Sequence, residues 1–105
     1  MEAKLIWSEI GKNENGFPVK IKNEVVVYVE EKEVVRAEFY EAMRSGITVK
    51  KILKVRAEDF EMSKHSDDTG NIAYATEIEY DGESYKIVRT FSRGKSQIEL
   101  TCGEI

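Results

Sequence analysis

The residues of this chain that could carry chemistry lie mainly in two short segments, 65–70 and 94–96. Gly94-Lys95-Ser96 has the last three residue types of a phosphate-binding loop. That motif also needs a glycine five residues before Gly94 and a helix directly after the loop. Arg89 stands at the glycine position, and the segment falls between two strand patterns. The pattern therefore predicts a hairpin turn and no nucleotide site.

The segment Asp67-Asp68-Thr69-Gly70 has the residue types of a calcium-binding loop. An EF-hand loop has glycine at its sixth position, aspartate at its first and glutamate at its twelfth. Aligning Gly70 with the sixth position places His65 first and Thr76 twelfth. The calcium signature fails, and a solvated loop is the better interpretation of these residues.

No catalytic group can be assembled from the remaining titratable side chains. His65 is the only histidine, so a zinc site there would have to take carboxylates as its other ligands. No spacing supplies it with a nucleophile and an orienting acid. Glu77 and Glu79 share one face of a predicted strand, as charges on the wet side of a sheet commonly do. We expect no enzymatic activity, no metal and no cofactor.

Length and composition indicate one globular domain spanning residues 1–105. The chain is 41% hydrophobic and 34% charged, a composition that indicates neither a disordered chain nor a membrane-embedded one. Its net charge of -4 argues against specific binding of duplex DNA, because that affinity comes largely from clustered Lys and Arg. Cys102 is the only cysteine, and its place in an alternating segment predicts a small buried side chain. The segment Met1-Glu2-Ala3-Lys4 lacks the pattern of a secretory signal, so we expect an intracellular protein.

The elements that must position these residues are mostly β-strands. Alternating apolar and polar residues with frequent β-branched side chains predict a mainly β fold, a small antiparallel β-barrel or rolled sheet of about six strands. Asp81-Gly82 lies between two such patterns and predicts a tight hairpin turn. The other strands are expected near Lys4 to Ile10, Val19 to Glu30, Val49 to Val55 and Gln97 to Cys102.

Two segments interrupt the strand pattern. Good helix formers from Ala37 to Arg44, followed by Ser45-Gly46, predict one short helix that is too short to be stable alone. Residues 58–70 show no sustained period and predict a long loop, a place where contacts with partners are common. The residues of this partner-docking loop are Asp59, Phe60, Met62, His65, Asp67 and Asp68.

Two stretches carry a resemblance to a known family. Arg36-Ala37-Glu38-Phe39-Tyr40-Glu41-Ala42, followed by Gly46-Ile47, resembles a segment after the second strand of the head-closure (head-tail joining) proteins of siphophages and prophages. Glu77 to Thr90, followed by Ile98 to Cys102, is similar to the closing hairpin and final strand of that family. The resemblance covers about the last two-thirds of the chain. The loop at residues 58–70 is more acidic and extended than the family pattern.

The resemblance implies a structural virion protein. A subunit of this kind forms a ring below the phage portal and its adaptor, continues the DNA channel, retains packaged DNA and provides the docking site for the tail terminator. It implies passing contact with DNA, no membrane, and residence in the host cytoplasm during assembly and then in the virion. It also implies that the segment after the second strand lines and plugs the channel, with Arg36, Glu38, Phe39, Tyr40 and Met43 as the channel residues.

Two alternatives stay open. Phe39 and Tyr40 could instead pack the short helix onto the barrel, since aromatic residues dominate small cores. The whole domain could instead be a cellular small-β-barrel module that binds a peptide or an oligonucleotide. Lys50, Lys54 and Arg56 would supply the basic half of an oligonucleotide platform, which also needs exposed aromatic side chains.

Overall fold

A computed structural model of the chain describes residues 1–34, 43, 44, 46 and 48–105. Four of the expected channel residues, Arg36, Glu38, Phe39 and Tyr40, lie outside these residues, as does most of the helix expected from Ala37 onward. At the end of that segment, Met43 and Arg44 are helical. Gly46 has a positive φ of 77° and its N–H donates to the Met43 carbonyl at 3.0 Å, which is the turn expected there.

The strands of the described residues are β1 Glu2–Lys12, β2 Pro18–Lys32, β3 Val49–Arg56, β4 His65–Ser66, β5 Ile72–Ala73, β6 Glu77–Tyr80, β7 Glu83–Arg93 and β8 Gln97–Gly103. Six of them form a closed antiparallel barrel in the order β1-β2-β3-β8-β7-β6. The other two, β4 and β5, are two residues each and pair only with one another. This architecture confirms the predicted mainly β fold.

The barrel interior is filled by every second side chain of its strands, as the period of a β-strand requires. Four of these side chains, Leu5, Leu53, Ile78 and Leu100, are completely buried. Cys102 is buried beside them, and this burial raises the pKa of its thiol to about 12. The interpretation of Cys102 as a small apolar core residue is confirmed.

The predicted hairpin turns are present. Asp81 and Gly82 have φ values of 52° and 80° between the paired residues Tyr80 and Glu83. Positive φ at both central residues is the requirement of a type I′ turn, whose twist matches that of the strands. Gly94-Lys95-Ser96 forms the turn that joins β7 to β8. The segment is followed by a strand and not by the helix that a phosphate-binding loop requires.

The segment Glu58 to Gly70, expected to be mainly loop, contains regular structure as well. A helix, α1, spans Ala57–Glu61, and β4 then pairs with β5 to make a small hairpin. Buried Ser63 fixes this arrangement, because its hydroxyl donates to the Phe60 carbonyl at 2.8 Å and accepts from the Ala75 N–H at 3.0 Å. The segment is therefore a cap on one end of the barrel.

Candidate interaction surface

The most prominent feature outside the barrel is a two-stranded arm formed by residues 8–22. β1 pairs with β6 only from Ala3 to Ile6, and β2 pairs with β3 only from Val29 to Lys32. Residues 8–12 and 18–22 pair only with each other. The molecule accordingly measures 52 × 28 × 27 Å, roughly twice as long as it is wide.

The tip of the arm is a well-bonded turn. The Asn13 side-chain oxygen accepts hydrogen bonds from the N–H groups of Asn15 at 3.0 Å and Phe17 at 2.9 Å. The Asn13 backbone N–H donates to the Phe17 carbonyl at 2.9 Å, and Gly16 supplies a positive φ of 80°. These bonds hold the tip in one conformation, and Phe17 projects from it with 65% of its surface exposed.

One face of the arm is basic. Directly paired residues of an antiparallel ribbon project to the same side, so the pairs Ile10–Lys20 and Ser8–Lys22 share a face with Lys12. No carboxylate of the described residues lies within ion-pair distance of the three lysines of this face, and no acidic residue is paired with any of them. The face also carries Ile10, 59% exposed. The arm thus presents three cations and an apolar side chain to the surroundings. The six residues of this basic face are Ser8, Ile10, Lys12, Pro18, Lys20 and Lys22.

The basic residues of β3 are in a different situation. Lys50 forms an ion pair with Glu104 at 3.2 Å, Lys54 pairs with Glu30 at 3.7 Å, and Arg56 pairs with Glu58. Each cation of this strand therefore has a carboxylate beside it. A platform for phosphate groups needs the opposite, cations whose charge is not already compensated by the protein.

Glu99 is a carboxylate on the outer face of the barrel that is nevertheless only 5% exposed. It accepts a hydrogen bond from Arg93 Nε at 2.7 Å and bonds from Lys32 Nζ at 2.8 and 3.3 Å. Burial alone raises the pKa of Glu99, but the hydrogen bonds from Arg93 and Lys32 outweigh it and leave that pKa below its ordinary value. The ionised carboxylate thus ties β2, β7 and β8 together.

At the barrel mouth opposite α1, a lysine lies among groups that stabilise its charge. Lys51 Nζ is 2.8 Å from Glu31 Oε1 and 5.8 Å from the centre of the Tyr80 ring. The hydrogen bond to Glu31 raises the pKa of Lys51, and burial raises the pKa of Tyr80. These groups satisfy one another, and nothing in their arrangement resembles a nucleophile with its base.

The expected partner-docking residues differ in how far the structure exposes them to solvent. Phe60 is 5% exposed and stacks on Tyr74 with ring centres 5.2 Å apart, so it is a core residue and its assignment to docking was wrong. His65 is half-buried and stacks on Trp7 at 5.7 Å. Asp59 is half-buried, whereas Met62 is 50% exposed.

Asp67 and Asp68 are both exposed, but Asp67 is engaged by its own loop. Its Oδ1 accepts hydrogen bonds from the Thr69 hydroxyl at 2.7 Å and from the Thr69 and Asn71 N–H groups at 3.0 and 2.8 Å. The bond from the Thr69 hydroxyl and then that from the Asn71 backbone lower the pKa of Asp67. Asp67 therefore shapes the turn, while Met62 and Asp68 stay available to a partner.

The lysines of the arm were not singled out from the sequence, although a signal was present. Val19-Lys20-Ile21-Lys22 alternates apolar and basic residues, which predicts a strand with one basic face. What the sequence does not show is that this strand continues past the barrel, since that depends on where its pairing with β3 ends.

Within the described residues, no group of three or more potential ligands is placed to hold a metal ion. No helix of the described part of the chain is long and apolar enough to cross a membrane. Met43, the one expected channel residue that the structure describes, is 55% exposed.

Comparisons with protein-family models, curated proteins and solved structures find no match.

Proposed function

We propose that this protein is a head-closure subunit of a phage head-tail connector, which forms a ring below the portal and adaptor, retains packaged DNA and receives the tail. The observation that carries this proposal is the arm, residues 8–22. It leaves Ile10, Phe17 and Ile21 between 45% and 65% exposed on a segment that adds nothing to the barrel interior. Exposed apolar side chains on a projecting ribbon are stabilised only when another molecule covers them.

The sequence resemblance supplies the assembly to which such an arm would belong. A ring subunit needs a rigid body and an element that reaches its neighbours, and the closed barrel with its projecting hairpin has both. The compensated charges of β3 weigh against an oligonucleotide platform on that strand, which is where the alternative function placed it. They leave Lys50, Lys54 and Arg56 with carboxylate partners in place of phosphates.

The peptide form of the alternative has one specific observation in its favour. Val29 and Met1 exchange backbone hydrogen bonds, so even-numbered residues of β2 direct their N–H and C=O groups away from β1. From Lys20 to Tyr28 no strand pairs with that edge in the described structure. An extended peptide could add to it as a further strand.

Binding to purified portal-adaptor complexes of the encoding phage distinguishes the two functions. Sizing with light scattering should show the wild-type protein joining the complex as a ring of many copies. Adding it to DNA-filled tailless heads should protect their DNA from nuclease. Absence of binding, together with capture of short extended peptides by the β2 edge, would favour the alternative.

The plug role of Phe39 and Tyr40 has its own test. If these residues close the channel, Phe39→Ala and Tyr40→Ala should leave thermal stability nearly unchanged while tailless heads lose DNA. If they are core residues, each truncation should cost about 3–5 kcal/mol of folding stability. Thermal melts of both variants decide, and a large stability loss in both would rule out the plug.

A further inference from the structure

The surface that could receive the arm is a shallow concavity on the outer wall of the barrel. It has a volume of about 300 Å³ and lies where β1, β2 and the β6–β7 turn meet. Glu2, Glu79 and Asp81 supply three carboxylates, and Lys4 is the single cationic side chain of the lining. The amino group of Met1 donates to the Val29 carbonyl at 3.1 Å. Lys4 is itself 3.9 Å from Glu24, so its charge is partly compensated. The concavity is therefore acidic.

The concavity also exposes apolar surface. Met1 is 62% exposed and Val26 is 52% exposed, and both line it. The arm offers the complementary set of groups, Ile10 flanked by Lys12, Lys20 and Lys22. Apolar contact at the centre with opposite charges around it is the usual arrangement of a specific protein interface.

A chain cannot fill its own concavity with its own arm. Val26 is paired with Lys4, and Ile10 lies six residues farther along β1. At about 3.3 Å per residue, the two sites are roughly 20 Å apart on one continuous ribbon. The ribbon holds them at that separation, so the occupant must be another molecule.

We propose that the basic face of the arm docks into the acidic concavity of a second copy of this chain. The two surfaces are different parts of the molecule, so the contact is head-to-tail and repeats around a closed ring. This inference rests on the proposed ring function and names the contact that builds the ring. Charge complementarity within one sequence favours this occupant, since the arm residues 8–22 carry three lysines and two glutamates in a chain of net charge -4.

Thiol crosslinking of an Ile10→Cys/Val26→Cys double variant tests the contact at high protein concentration, where covalent trapping accumulates even a weak contact. The two positions are too far apart for a bond within one chain, because disulfides need Cα atoms within about 7 Å. Native Cys102 is buried and its thiol has a pKa of about 12, so it should not form crosslinks. A head-to-tail contact should give a ladder of covalent oligomers, whereas each single-cysteine variant should stop at dimers. A double variant that also stops at dimers overturns the proposal.

Charge reversal in the same double-cysteine background tests the electrostatic part. Lys20→Glu/Lys22→Glu in the arm should reduce the ladder at least tenfold, and so should Glu2→Lys/Glu79→Lys in the concavity. Combining all four substitutions should restore it. The matched control is Lys64→Glu/Lys95→Glu, which reverses two exposed lysines elsewhere and should have no effect. Equal ladders in all variants overturn the proposal, as does an arm that binds duplex DNA but forms no ladder.

The two proposals fail in different ways. If no ladder forms but the wild-type protein still protects DNA in tailless heads, the arm contact is wrong and the connector function stands. If the ladder forms and responds to charge but the protein neither binds portal-adaptor complexes nor protects DNA, the function is wrong and the contact stands.

Discussion

At the scale of single residues, Glu99 shows how a buried charge can stabilise the fold. An ionised carboxylate removed from water is costly unless its lone pairs are satisfied. Arg93 and Lys32 satisfy it from two different strands, and both cations keep part of their surface in water. The three side chains therefore act as a clasp on the outside of the barrel.

The clasp predicts a pH-dependent stability. Glu99→Gln should lower the free energy of unfolding by about 1–3 kcal/mol at neutral pH, because charged hydrogen bonds are lost. The pKa of Glu99 is depressed in the folded protein, so its contribution is present above the ordinary glutamate pKa of about 4.3 and is lost as the pH falls through the folded value. Urea titrations at neutral pH and below about pH 4 should show the gap between variant and wild type closing.

Glu104→Gln is the matched control, since Glu104 pairs with Lys50 at the surface with 72% of its side chain exposed. Its effect should stay within about 0.5 kcal/mol at every pH. A Glu99→Gln gap that is the same at neutral and acid pH would contradict the assignment.

At the scale of elements, the barrel strands could be predicted from alternation, but α1 could not. Its five residues are fewer than two helical turns, too few to show a period. It exists because Phe60 packs into the end of the barrel and Ser63 bonds to Ala75, contacts that join residues distant in the chain. Phe60 was placed among the docking residues for the same reason, since the sequence around it has no period that separates a buried position from an exposed one.

Truncating the cap tests this account. Phe60→Ala should lower the free energy of unfolding by about 3–5 kcal/mol, because it removes a buried ring and its stack on Tyr74. Met62→Ala, two residues later but half exposed, should change it by less than about 0.5 kcal/mol. Denaturant titrations measure both. A small change in the free energy of unfolding for Phe60→Ala would contradict the placement of Phe60 in the core.

At the scale of the whole molecule, body and arm should be separable. Replacing residues 8–22 with Asn-Gly would close the ribbon directly between the paired residues Trp7 and Asn23. The strand segments that pair within the barrel stay in place, and Trp7 loses the hydrogen bond from its Nε1 to Glu9. The melting temperature should therefore fall by no more than about 5 °C. Binding to portal-adaptor complexes should be lost. Scanning calorimetry and sizing test the two parts, and a variant that fails to fold would show that the arm belongs to the core.

The isolated wild-type protein should be a monomer or a small oligomer. The proposed contact involves one ribbon face and one shallow concavity, and exposed ion pairs contribute little each in water. We therefore expect rings only where a preassembled partner concentrates the subunits. Light scattering of the free protein measures this, and stable rings formed by the isolated chain at high salt would contradict it.

The closure of the barrel imposes an order of events in time. Residues 3–6 complete their pairing only with residues 77–80, so closure must wait until most of the chain has been synthesised. The β1–β2 ribbon is local and can form within about 1–10 μs, whereas sheets built from distant segments take milliseconds to seconds. During that interval the β1–β2 ribbon is already formed but its apolar face is exposed to water. This face carries Val25, Val27 and Val29, which later pack in the barrel interior. Nascent chains that meet at this stage can join through these ribbons, so the yield of folded protein should fall when synthesis outpaces closure.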